Sequence, residues 1–175
     1  TLTDAPSVAQ LVTINAATTG AITLNVTNGA LSGSAANLVS AFAGTVTTHT
    51  GTVTITDTPT VAQANTIDAA TSGAITATFA DDATDLATLT GTGNAYTLTL
   101  SNTDAASLAE LITINAATTG AITLNTLTIE ANLSGSAANF ASAFAGTVTT
   151  HTGTVTLTDA PSVTQLVTIN AETTG

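Results

Sequence analysis

Residues 1–20 read TLTDAPSVAQLVTINAATTG and residues 156–175 read TLTDAPSVTQLVTINAETTG, a match broken at only two positions. The same block returns as TITDTPTVAQANTIDAATSG at 54–73 and as SNTDAASLAELITINAATTG at 101–120. A second block, SGSAANLVSAFAGTVTTHTGTVT at 32–54, returns at 134–156, again with two differences. Its counterpart in the middle is degenerate, around FADDATDLATLTG at 79–91. Internal repetition constrains the fold more than any composition does, because each copy must form the same local structure and bury its apolar side on a neighbouring copy. The chain divides into repeat 1 at 1–53, repeat 2 at 54–98 with a degenerate second half, repeat 3 at 99–155 and the start of repeat 4 at 156–175, one continuous array. It opens and closes on the same block, with no atypical polar repeat at either end. That pattern leads us to expect further copies of the repeat, in the same chain or as stacked subunits.

Each block reads as a strand and then a helix. Thr52-Val53-Thr54-Ile55-Thr56 alternates polar and apolar residues with period two, so Val53 and Ile55 share one face and the threonines the other. Asp57 follows, then Thr58-Pro59; Asp4-Ala5-Pro6 and Asp159-Ala160-Pro161 stand in the same place. An Asp at the N-cap accepts from unpaired N–H groups of the first turn, and Pro suits that turn because it has no N–H. On this reading Asp4, Asp57, Asp104 and Asp159 cap helices, and Val8, Leu11, Val12 and Ile14 form the apolar stripe of the first one. Gly20, Gly73, Gly120 and Gly175 close the blocks, where a left-handed residue commonly ends a helix. In the second half of the repeat, residues 21–27 alternate again, Ser34 is placed to cap, and Leu38 and Phe42 lie four apart, as do Phe140 and Phe144. The middle repeat offers Asp82 as a cap with Leu86 and Leu89 behind it, and residues 45–51 add a short strand or hairpin. About six such units, of roughly 26 residues each, fill the period that separates residue 1 from residue 156.

The alternation also selects an architecture. Strands covered on both faces are near-continuously apolar, whereas these carry Val, Ile or Leu on one side and Thr or Asn on the other. The expected fold is therefore α/β: a parallel sheet with one helical layer, coiled as an open right-handed strand–helix solenoid. The alternative is an all-β solenoid or sandwich in which the Ala-rich segments are loops, since Thr favours strands.

Composition then excludes whole classes of function. The 11 acidic residues are unopposed, because the chain has no Lys or Arg, and the net charge is −11. A chain without cations cannot neutralise phosphates, which excludes direct nucleic-acid binding and electrostatic docking to anionic lipid. No apolar run approaches the roughly 20 residues of a membrane span. Without Cys there are neither disulfides nor thiolate metal sites. A hydrophobic fraction of 43% against 6% charged residues is not that of a disordered chain. Residue 1 is Thr and no basic segment precedes an apolar one, so no secretory signal is visible and the sequence reads as a cut from a longer chain.

The phrases TDAPSVAQLVTINAATTGAITL and SGSAANLVSAFAGTVTTHTGTVT resemble the Thr/Ala-rich tandem repeats of giant cell-surface proteins of marine cyanobacteria, a group that includes the surface protein associated with non-flagellar swimming. The resemblance implies an extracellular or cell-surface structural protein of many repeats, and it brings no catalytic motif to carry over.

The residues that could carry chemistry are few. His49 and His151 occupy matching places in THTG and have no neighbouring carboxylate in sequence, which points to structural or turn positions. Asp81, Asp82 and Asp85 form the one acidic cluster. Calcium is the cofactor such a cluster could take, but the EF-hand and GGxGxD spacings are absent, and a helix start with one capping Asp accounts for it. Gly91-Thr92-Gly93 lacks the following Gly or Lys of a phosphate cradle, and there is no Gly-x-Ser-x-Gly elbow. No enzyme is expected and no cofactor is required. The expected function is a structural repeat module of a large surface protein or filament. The alternative is an ice- or surface-binding adhesin region, since Thr on parallel strands presents regularly spaced methyl and hydroxyl groups. Asn25, Ala77 and Asn125 are read as interruptions of that ladder, which favours the structural role.

Overall fold

The period-two segments and Ala-rich segments do alternate as strands and helices. The computed structural model describes residues 1–174. In chain order the elements are α1 (Val8–Ala17), β1 (Leu31–Gly33), α2 (Ala35–Ala41), β2 (Val53–Ile55), α3 (Val61–Ala70), β3 (Ile75–Asp81), α4 (Ala83–Leu86), β4 (Ala95–Leu100), α5 (Leu108–Ala116), β5 (Ile122–Thr123), α6 (Thr126–Ile129), β6 (Leu133–Gly135), α7 (Ala137–Ala143), β7 (Val155–Leu157) and α8 (Val163–Glu172). The fold is α/β, and the helices set the all-β alternative aside.

Strands β1 to β5 form one parallel sheet whose spatial order is the chain order, and β6 pairs with β7 in the same sense. Leu31 pairs with Val53 and Val53 with Ile75, an offset of 22 residues each time. Single parallel bridges continue the pattern at Leu2–Leu24, Ile22–Val46, His49–Thr71, Ile122–Val148 and His151–Thr173. Residues 21–27 and 45–51 contribute only such bridges, and residues 45–51 form no hairpin, because all their pairing is parallel. Successive helices also pack together, α1 on α2, α2 on α3, α4 on α5 and α7 on α8, while α5 packs on α7, past the one-turn α6. The sheet breaks after β5 where the third repeat runs AITLNTLTIEANLSGS against AITLNVTNGALSGS in the first. The two extra residues allow the one-turn helix α6, capped by Asn125.

The core lies between sheet and helices. In β3 and β4, Ile75, Ala77, Phe79, Tyr96, Leu98 and Leu100 are buried and the residues between them are outward or half-exposed. From the helices come Leu11, Leu38, Ile67, Leu86, Leu111, Ile114 and Phe140. Phe79 meets Tyr96 edge-on, ring centroids 5.1 Å apart. Each fully buried Leu, Ile or Phe contributes about 1.5–3 kcal/mol, so this face outweighs any single helix cap.

The structure corrects the capping scheme. The N-caps of α1, α3, α5 and α8 are Ser7, Thr60, Ser107 and Ser162, not Asp4, Asp57, Asp104 and Asp159 three residues earlier. Each forms a capping box with Gln10, Gln63, Glu110 or Gln165 at N3, satisfying two orphan donors reciprocally. Asp57 instead reaches the preceding unit, where its Oδ1 accepts from the Ala35 N–H at 2.8 Å, and Asp159 does the same for Ala137 at 2.7 Å. These carboxylates therefore hold the first N–H of α2 and α7, one unit back. Asp104 accepts from the Thr103 hydroxyl, and its backbone carbonyl accepts from Asn125 Nδ2. Ser34 and Asp82 cap as expected.

Gly20, Gly73 and Gly120 are not left-handed helix ends either. The positive-φ residues are Gly44, Gly91, Gly93 and Gly146; Gly175 lies outside the described residues. In the Thr-x-Gly endings the Thr hydroxyl accepts from the Gly N–H two residues on, at Thr18–Gly20, Thr71–Gly73 and Thr118–Gly120. Gly73 and Gly120 are then pressed against the backbone one unit back, where a Cβ would collide with the carbonyl of Gly51 or of Tyr96.

The two cap types act on different helices, which separates their mutants. Thr60→Ala should cost about 1 kcal/mol and loosen the first turn of α3. Asp57→Ala should cost a similar amount but speed amide exchange at Ala35 in α2 while leaving α3 unchanged. Denaturant midpoints and residue-resolved exchange read both; faster exchange in α3 for Asp57→Ala would make Asp57 a cap of α3 after all.

Candidate functional site

The surface that repetition builds most regularly is the outer face of the sheet. Period-two alternation turns Thr52, Thr54, Thr56, Thr76, Thr78, Thr97, Thr99 and Thr123 to solvent while the apolar partners point inward. Pairing brings Thr54 beside Thr76, Thr78 beside Thr97 and Thr99 beside Thr123. Neighbouring strands lie about 4.8 Å apart and alternate residues about 6.7 Å apart, so these side chains form a grid of methyl and hydroxyl groups. The breaks are not those read from the sequence. Ala77 is in the core, and Asn125 is a buried cap whose side chain donates to the carbonyls of Ser101 and Asp104. Of the three, Asn25 alone is exposed. The actual breaks are Ala95, opposite Thr76, and Ala80, opposite Thr99. Each matched row of Thr within these strands is therefore short.

The acidic cluster sits where β3 turns into α4. Carboxylate oxygens of Asp81, Asp82 and Asp85 lie within 4.8 Å of one another, the one group of three or more metal-ligating side chains among the described residues. Their bonds are local. Asp82 Oδ1 accepts from the Asp85 N–H at 2.8 Å as the N-cap of α4, and Asp81 Oδ1 accepts from the Asp82 N–H at 3.0 Å. Two of the three carboxylates are thus already engaged in starting a helix. Nearby, Glu110 in the capping box accepts from Ser107 and from the Thr84 hydroxyl, and these bonds hold its pKa below the ordinary carboxylate value.

His49 and His151 are buried. Each packs against an aromatic ring at a helix end, Phe42 at 6.0 Å and Phe144 at 5.7 Å between centroids. His49 Nε2 and both ring nitrogens of His151 have no hydrogen-bond partner. Burial lowers both pKa values from 6.5, offset in part by the backbone at Thr52 for His49 and at Thr128 and Ala131 for His151. Burial thus favours the neutral form of both rings, packed against Phe42 and Phe144. Tyr96, also buried, has its hydroxyl pKa raised by burial and then by the charge of Asp68.

Asp68 belongs to a signal that sequence reading missed. It stands where α1 and α5 have Asn15 and Asn115, whose Nδ2 groups donate to Ala41 and Ala43, and to Ala143 and Ala145, in the next unit. In the middle repeat the polarity reverses: Asp68 accepts from Asn94 Nδ2 at 2.9 Å. The recurrence of Asn in the TINA phrase was the available clue.

Comparison with protein-family models, with curated proteins and with solved structures finds no match.

The buried imidazoles give a pH dependence with a definite sign. An unfolded His takes up its proton near 6.5, while the folded ones resist until a lower pH. Between the lowered folded pKa and 6.5 the unfolded chain binds more protons, so stability is full above about 6.5 and falls as pH drops through that window. Urea denaturation between pH 7.5 and about 5 should show this loss. The His49→Gln, His151→Gln double variant should be less stable at pH 7.5 and flat with pH; an unchanged slope would assign the effect elsewhere.

Proposed function

We propose that this chain is a structural repeat module of a large extracellular surface protein or filament, coiled as an open strand–helix solenoid with its helices in one layer. The hand is right, as it nearly always is for parallel crossovers. The observation that carries the reading is the order of pairing: each strand from β1 to β5 lies beside the strand of the next unit, always parallel and in chain order. A chain built this way extends by adding units rather than by enlarging one core. Its largest buried side chains, from Leu11 to Phe144, are used in packing. The unopposed acidic surface and the Thr/Ala-rich repeats that resemble those of giant surface proteins support the extracellular assignment. No helix among the described residues is long and apolar enough to cross a membrane.

One observation favours the second reading, a surface-binding face. Ala77 and Asn125 do not interrupt the outer threonines, so the grid is more regular than the sequence suggested. Against it, Ala95 ends the row Thr54–Thr76 and Ala80 ends the row Thr99–Thr123, each after two strands, and an ordered crystal surface rewards long rows.

Tandem chains decide the first reading. Because residues 156–175 copy residues 1–20, residues 1–155 can be joined head to tail in register. Small-angle scattering from one, two and three such periods should give a constant cross-section and a length that grows in proportion; beads of separate compact domains would refute the solenoid. Thermal hysteresis of the same samples tests the second reading, and a value at the level of buffer is expected.

A further inference from the structure

One helix sequence occurs in three surroundings, which shows what each of its sides is for. Helix α5 has neighbours before and after it, and Leu108, Leu111 and Ile114 are all buried. Helix α1 is succeeded by α2, and its matching Val8 and Leu11 are buried while Ile14 is only half-buried. Helix α8 packs on α7 before it, and its matching Ile169 is 5% exposed, but Val163 is 78% and Leu166 44% exposed. The first two positions therefore face the following unit and the third faces the preceding one.

The block after α1 and the block after α5 are of one kind, SGSAAN onward. Its fit is specific at two points. Gly33 lies against Val8, where a Cβ would already sit 3.3 Å from Cγ1; Gly135 lies against Leu108, and a Cβ there would come within 2.5 Å of Cδ2. At the other end Asn15 and Asn115 donate to the last carbonyls of the following helix, groups that no intrahelical N–H can satisfy. Helix α8 repeats the receiving side, with Val163, Leu166 and Asn170 exposed in the matching places.

We propose that this face of α8 is a docking site for a strand–helix unit of the SGSAAN type, and that it discriminates against the block with which the chain opens. In the opening block the residue before the N-cap serine is Pro6, where the SGSAAN unit has Gly33. Val163 would meet a pyrrolidine ring in a place that barely admits a Cβ. Helix α1 is also ten residues long against seven for α2, so its final carbonyls lie about one turn beyond the reach of Asn170. Stacking of two identical copies, end on start, thus offers the wrong unit. The proposal takes the repeat reading one step further, to the order in which units succeed one another.

The test extends the full chain after Gly175 and reads amide exchange in α8. One extension is a copy of residues 21–50, a second is that copy carrying Gly33→Val, and a third is a copy of residues 1–20. The first should slow exchange across 163–172 by about tenfold or more. The second and third should leave it as in the 175-residue chain. Fast exchange with the first extension overturns the proposal, as does equal protection by the third. So does protection of α8 in the unextended chain through concentration-dependent self-association. Equal protection by the third extension, or by self-association, refutes the docking rule alone and leaves tandem periods free to scatter as a rod. Fast exchange with the first extension, whose junction is also that of the tandem chains, refutes the solenoid reading with it.

Discussion

Parallel pairing of each unit with the next, usually 22 residues away, sets the conditions that the other features meet. At a strand spacing of about 4.8 Å there is little room between successive turns of chain, and the sequence answers with small residues: 44 Thr and 34 Ala among 175. Where backbone meets backbone even Ala is too large, as at Gly73 over Gly51 and Gly120 over Tyr96. The same closeness lets side chains satisfy a neighbour's helix ends. Asp57 and Asp159 take N–H groups at the start of one helix, and Asn15 and Asn115 serve carbonyls at the end of another. A chain without Lys or Arg cannot offer cations to helix C-termini, and Asn amides stand in for them.

The degenerate middle repeat shows how far that arrangement can vary. Asp68 replaces the Asn of the other copies and needs a donor in return, which Asn94 provides. Asn65, at the position of Val12 in the first copy, donates to Thr88 O and accepts from the Thr90 N–H. Asn94 also accepts from the Ile75 N–H through its Oδ1, at 2.9 Å. One acid and two amides thus rebuild the link between units that the regular copies make with a single Asn.

Alternation was legible because it is a local consequence of a half-buried strand: Val53 and Ile55 inward, the threonines outward. The helices were legible from Val8 and Leu11, and Ser34 and Asp82 as caps from the Ala-rich segments behind them. The Asp caps were misplaced because Asp4 and Ser7 are both good capping residues and only the partner at N3 separates them. Ser7 with Gln10, Thr60 with Gln63 and Ser107 with Glu110 carried that signal. The reach of Asp57 into α2 was not legible, since it joins residues 22 apart whose proximity exists only once the units stack. The place of Ala77 was legible: it lies between Thr76 and Thr78, in phase with Ile75 and Phe79, so the alternation already turns it inward.

Strands arranged in chain order have a mechanical consequence. A load applied between two distant units runs along the direction in which strands succeed one another, parallel to the hydrogen bonds that join them. Such bonds part in sequence, as in a zipper, rather than together, as in strands sheared along their length. Each unit lost releases about 26 residues, or about 90 Å of extended chain, in place of a folded advance of about 5 Å. In the solenoid proposed above, such an array would yield at low force and in many small steps, as an extensible tether rather than as a stiff strut.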